Sequence, residues 1–95
     1  MVTTETISRE VRADNIPLAN RILLYLYMNP SAKDTAEGIA QWWVKEPISK
    51  VRKVLEILVD LKMVKTYNSG RSILYMLGET SLEPFIDEVL TNNGD

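Results

Sequence analysis

The sequence predicts a small α+β domain, mostly helical, in which three helices are followed by a two-stranded hairpin and a further helix. Three observations point there. Apolar residues recur at three-and-four spacing in four separate stretches, as they do along amphipathic helices. Two of those stretches open on a box of the kind that caps a helix, Asp34-Thr35-Ala36-Glu37 and Thr80-Ser81-Leu82-Glu83. Between them, Asn68-Ser69-Gly70-Arg71 separates two short strand-like runs with residues that tolerate a tight turn. With 95 residues, 45% of them hydrophobic and 25% charged, the chain is sized for one modest core.

Residues 1–13 are expected to form an N-terminal arm, because the first ten offer only Val2 and Ile7 for burial. The first helix is expected to begin near Asn15 to Pro17. Asp14 and Asn15 suit a cap there, and proline suits the first turn. It should end before Pro30, since a residue preceding proline avoids the helical region. Leu18, Ile22, Tyr25, Leu26 and Asn29 share one face, and Leu23, Leu24, Tyr27 and Met28 leave almost no polar side. Such a helix needs cover on two sides, and a second subunit is the expected second cover.

In the second helix Asp34 is the expected cap, with Glu37 reaching back to it. Ala36, Ile39, Ala40 and Trp43 then line the buried face, and Gly38 leaves room for close packing. Trp42 lies about 100° from Trp43. At that edge it either packs beneath the hairpin or anchors a partner. After Val44-Lys45-Glu46, Pro47 suits the first turn of a third helix. Ile48, Val51, Leu55 and Leu58 form its apolar stripe. Ser49, Arg52, Lys53, Glu56 and Asp60 lie opposite, with Lys50 at the border. Ile57 falls outside the stripe and implies a second packing partner.

The two strands are expected at residues 64–67 and 72–77. Five consecutive apolar residues, 73–77, do not alternate, so both faces of the second strand should be covered. In the last helix Leu82, Phe85, Ile86, Val89 and Leu90 make one stripe, and Glu83, Asp87 and Glu88 an acidic outer face. The chain thus divides into the arm, a core over 14–78, a C-terminal helix over 79–91 and a tail over 92–95 expected to fray.

The chain has no cysteine and no histidine. That excludes disulfides, thiolate or imidazole metal sites and histidine acid–base catalysis. No glycine-rich phosphate loop, nucleophile elbow or paired-carboxylate constellation is found. No catalytic residue, cofactor or bound metal is expected, and no enzymatic activity. The longest apolar run, residues 22–28, is too short for a membrane span, and the N-terminus lacks a signal-peptide layout. A cytoplasmic protein is expected.

The net charge of −2 is unevenly spread. Residues 41–72 hold seven bases and three acids, a local +4, whereas residues 73–95 hold five acids and no base. Local positive potential attracts nucleic acid even in an acidic protein.

Thr35-Ala36-Glu37-Gly38-Ile39-Ala40 resembles the opening of the second helix of the winged helix-turn-helix superfamily. Residues 51–58, running on to Lys62-Met63-Val64, look like its third helix and first wing strand. The likeness covers about half the chain closely and nearly all of it in element order. It implies a DNA-binding protein, a transcriptional regulator, with the third helix in the major groove of double-stranded DNA and the wing on the backbone. Carried over, Ser49, Arg52 and Lys53 face the groove with Lys50 at its edge, and Lys65, Asn68, Ser69 and Arg71 are wing contacts. Two departures stand out. Lys62 occupies a place where the family often has glycine, and the turn before the third helix is about one residue longer than the commonest form. A homodimer is expected, since pairing would bury the excess apolar surface and space two third helices about one turn of DNA apart. The alternative is a protein-interaction module without DNA binding, its candidate interface residues being Trp42, Leu24, Tyr27 and Ile57. On that reading the cations of the third helix are a solvated face, partly neutralised by Glu56 and Asp60.

Overall fold

One nearly all-apolar helix sits at the centre of the molecule, and the other elements are laid around it. The computed structural model describes residues 4–93. Its elements are α1 (Thr4–Glu10), a 3-10 turn (Ala13–Asn15), α2 (Ile16–Met28), β1 (Lys33–Asp34), α3 (Ala36–Gly38) running on into a π-helical segment (Ile39–Val44), α4 (Ile48–Asp60), β2 (Val64–Ser69), β3 (Ser72–Leu77) and α5 (Glu83–Asn93). The three strands form an antiparallel sheet in the order β1-β3-β2. The protein is therefore α+β and mostly helical.

The central helix is α2. Pro17 sits in its first turn, where no amide donor is missed. It stops at Asn29, whose backbone and side-chain amides both donate to the Tyr25 carbonyl, at 2.9 and 3.0 Å. Leu18, Ala19, Ile22, Leu23 and Leu26 are buried against α1, α4, α5, the π segment and β3. These five residues are covered from two sides within the same chain, while Tyr27 and Met28 at the end of the helix stay exposed.

The cover includes residues expected to form an arm. Thr4–Glu10 is helical, and Ile7 is fully buried with Val11, four residues on, on the same side. The Thr4 hydroxyl donates to the Glu88 carboxylate at 2.7 Å and ties α1 to α5. One well-placed isoleucine docks a segment that its composition marked as loose. Of the tail expected at 92–95, Asn92 and Asn93 continue α5. Residues 1–3 and 94–95 lie outside the described residues.

Asn15 holds the N-cap position of α2 without a side-chain bond, and both expected capping boxes are displaced. Thr35, not Asp34, caps α3, its hydroxyl accepting from the Gly38 amide at 3.0 Å. Asp34 accepts from the Thr35 amide at 2.8 Å, and a Cβ on Gly38 would collide with the Asp34 carboxylate. The glycine makes room for that carboxylate and not for a neighbouring helix. Thr80 does not start α5. Its hydroxyl donates to the Leu61 carbonyl at 3.3 Å and its amide to the Lys62 carbonyl at 3.0 Å. It thereby satisfies acceptors at the end of α4 that have no partner within the helix. The amide of Glu83 turns to the Ser81 hydroxyl at 3.3 Å instead.

Two lysines take the left-handed backbone region, Lys45 with φ 54° and Lys62 with φ 62°. Lys45 follows the π segment, where the Glu46 amide reaches back to the Ala40 carbonyl at 3.0 Å. Lys62 closes α4. Its amide donates to the Val59 carbonyl at 2.9 Å, and the Met63 amide to the Leu58 carbonyl at 3.0 Å, with Leu58 and Met63 both buried. That is the left-handed C-terminal closure in which glycine is preferred.

The first hairpin strand runs two residues further than expected, to Ser69, and leaves a two-residue turn of Gly70 and Arg71. Gly70 has φ 63° and Arg71 does not share the positive sign, the pattern of a turn with glycine in its first central position. Alternation puts Val64, Thr66 and Asn68 on one face of β2, opposite Leu77, Tyr75 and Ile73. Tyr75 and Leu77 pack on the core from that face. The expectation that both faces of β3 would be covered fails. None of residues 73–77 is fully buried, and among the described residues Leu74 and Met76 do not pack on the core. Among the described residues no helix is long and apolar enough to cross a membrane.

Candidate functional site

The outer face of α4 follows from its register. Val51, Val54, Leu55 and Leu58 are buried, which turns Ser49, Arg52, Lys53, Glu56 and Asp60 to solvent and leaves Lys50 half-buried at the edge. The inner face of the hairpin leans toward the same side. Between them lies a groove of about 200 Å³, whose lining includes Arg52 of α4, Arg71 of the turn, Thr35 and Glu37 from the start of α3, and Ile73 of β3. Arg52 and Arg71, nineteen residues apart, are brought to one site by the fold. Ile73, 49% exposed, provides an apolar surface there.

Beyond Arg52, the surface between α4 and the hairpin carries Glu56, Asp60 and Thr66. Positive charge therefore belongs to the first two turns of α4 and negative charge to its end. The cations in the first part are differently occupied. Lys50 approaches Glu46 at 3.4 Å and Arg52 approaches Glu37 at 3.3 Å. Lys53 makes no ion pair among the described residues. Glu56 and Asp60, expected to neutralise this helix, make none either.

Glu46 is held from two sides. The Arg21 guanidinium donates to it at 2.9 Å and to the Val44 carbonyl at 3.1 Å. The Arg21 hydrogen bond, opposed by partial desolvation and reinforced by Lys50, lowers the Glu46 pKa below the ordinary glutamate value. This cluster fastens the turn before α4 to α2.

The wing residues implied by the resemblance are divided. Asn68 shares the inner face with Thr66, whereas Lys65 lies on the outer face with Tyr67, opposite Met76 and Leu74. Lys33, paired with Met76 from the other edge, joins Lys65 on that outer face. Ser69 ends β2, Arg71 lies in the turn, and both are exposed. Lys65 is therefore separated from the α4 groove, while Asn68, Ser69 and Arg71 stay at the hairpin tip.

The four candidate protein-contact residues are also divided. Leu24 and Ile57 are half-buried and pack on the core. Tyr27 is 40% exposed at the end of α2, and Trp42 is 69% exposed. Trp43 turns inward but is only half-buried, stacking on Tyr25 with ring centroids 4.1 Å apart.

Sequence reasoning missed Glu37, Arg21 and Glu46 as site residues. The Glu46–Lys50 spacing of four was legible as a helical pair, but the Glu37–Arg52 contact joins two elements and has no local signal. Comparison with known families, curated proteins and solved structures returns no match.

Proposed function

We propose that this protein is a winged-helix DNA-binding regulator that lays the first two turns of α4 in the major groove and the hairpin tip on the backbone. The observation that carries the reading is the convergence of Arg52 and Arg71, from different elements, on one groove. Ser49 and Lys53 stand exposed beside it. Guanidinium groups at such a place donate to guanine edges or phosphates. The local +4 of residues 41–72 supplies attraction that the overall −2 conceals. Glu56 and Asp60 limit the contact to the front of the helix, since they would repel phosphate. A homodimer belongs to the same reading. Large hydrophobics at the surface, Tyr27, Met28 and Leu90, are surplus to one core.

Binding of the full chain to mixed-sequence duplex DNA across a salt series tests this. Affinity should fall steeply with salt, and Arg52→Gln, Lys53→Gln and Arg71→Gln should each weaken it and reduce the log–log salt slope by about one. Absence of binding at low salt, or three variants indistinguishable from wild type, would overturn the reading. A second reading rests on Trp42, whose exposed indole is the kind of side chain that anchors protein partners. A partner captured by wild type and lost with Trp42→Ala, in a chain that ignores DNA, would establish that reading instead.

A further inference from the structure

We infer that the groove between α3, α4 and the hairpin is a seat for a single backbone phosphate and that Glu37 is its internal counterion, masking Arg52 until a phosphate displaces it. The inference rests on the DNA-binding reading. Among the residues that line the groove, Glu37 is the one acid and Arg52 and Arg71 are the two bases. The carboxylate lies 3.3 Å from the Arg52 guanidinium, and both side chains are more than half exposed. A pair so open to water is weak and readily exchanged for another anion. Glu37 is also free to leave. The N-terminus of α3 is capped by Thr35, so the helix does not need the glutamate for its own amides. Lys50 is in a different position, because its partner Glu46 is also gripped by Arg21. Departure of Glu37 raises the charge of the groove lining from one net positive to two. The Thr35 and Ser72 hydroxyls lie in the same lining as further donors.

Glu37→Gln keeps the shape of the side chain and removes the competing charge. Releasing Arg52 from a carboxylate 3.3 Å away in a water-like dielectric corresponds to a gain of about three- to tenfold in duplex affinity at low salt. The Arg52–phosphate contact is made in the complex of either chain, so the salt slope should change little. The gain should vanish in the Arg52→Gln background, and Glu83→Gln on α5, with the same change in net charge, should give little. A wild-type chain that binds DNA while Glu37→Gln binds no better overturns the mask and leaves the DNA reading standing. The mask is equally overturned if Glu83→Gln gains as much, or if the gain survives without Arg52. A chain that binds no duplex with either residue at position 37 overturns both. An unchanged thermal midpoint shows that the variant folds as wild type does.

Discussion

At the scale of single residues, the backbone explains positions that side-chain chemistry does not. Lys62 sits at φ 62° because the closure of α4 demands that conformation, and a side chain there costs energy that glycine does not. Lys62→Gly should therefore stabilise the protein by about 0.5–1 kcal/mol in chemical denaturation, the gain being trimmed by the looser unfolded chain. A clear loss of stability would mean that the lysine side chain contributes more than its backbone costs. Gly78 is the opposite case. Its amide bonds the Met63 carbonyl at 2.9 Å, and an added Cβ would lie 2.7 Å from the Met63 carbonyl carbon, so Gly78→Ala should cost about 1–3 kcal/mol. Glu46 gives a pH prediction. Its pKa is lowered in the folded state, chiefly by the Arg21 hydrogen bond. The stability it adds is fully present above the ordinary glutamate range and is lost as the pH falls through its lowered value. Glu46→Gln should flatten the acid limb of a stability–pH curve, and an unchanged limb would contradict the Arg21–Glu46–Lys50 cluster.

Among elements, the π segment separates two adjacent tryptophans into different roles. Trp43 stacks on Tyr25 within the fold, and Trp42 faces solvent. Trp43→Ala should cost about 2–4 kcal/mol, while Trp42→Ala should change stability by no more than about 0.5 kcal/mol. What the sequence disclosed of the elements divides along the same physical line. The stripes of α2, α4 and α5 were legible because helical periodicity is local. The hairpin was legible because Gly70 suits a tight turn between two strand-like runs, although Asn68 and Ser69 belong to β2 and not to the turn. The docking of α1 was not, since it depends on Ile7 meeting partners far along the chain. β1 was not, since a two-residue strand has no pattern of its own and exists only by pairing with Tyr75 and Met76. The caps moved by one or more residues because Asp34 and Thr35 are both competent, and because Thr80 was claimed by the end of α4.

Across the whole molecule, charge and apolar surface are sorted by the fold. α1 and α5 close the second side of α2, the front of α4 and the hairpin tip carry the cations, and the end of α4 and the outside of α5 are acidic. That Ser49, Arg52 and Lys53 share the outer face of α4 was legible from helical register alone. The meeting of Arg52 with Arg71, the displacement of Lys65 to the other face and the Glu37 contact were not, because each depends on how elements pack. Backbone amide chemical shifts of the full chain, followed by NMR as duplex DNA is added at low salt, address the proposed surface directly. Perturbations should concentrate at residues 35–37, 48–53 and 68–73, with the Trp42 indole and α5 unmoved. Shifts confined to Trp42 and the acidic face of α5, or none at saturating DNA, would contradict the assignment of the α4 groove as the nucleic-acid surface.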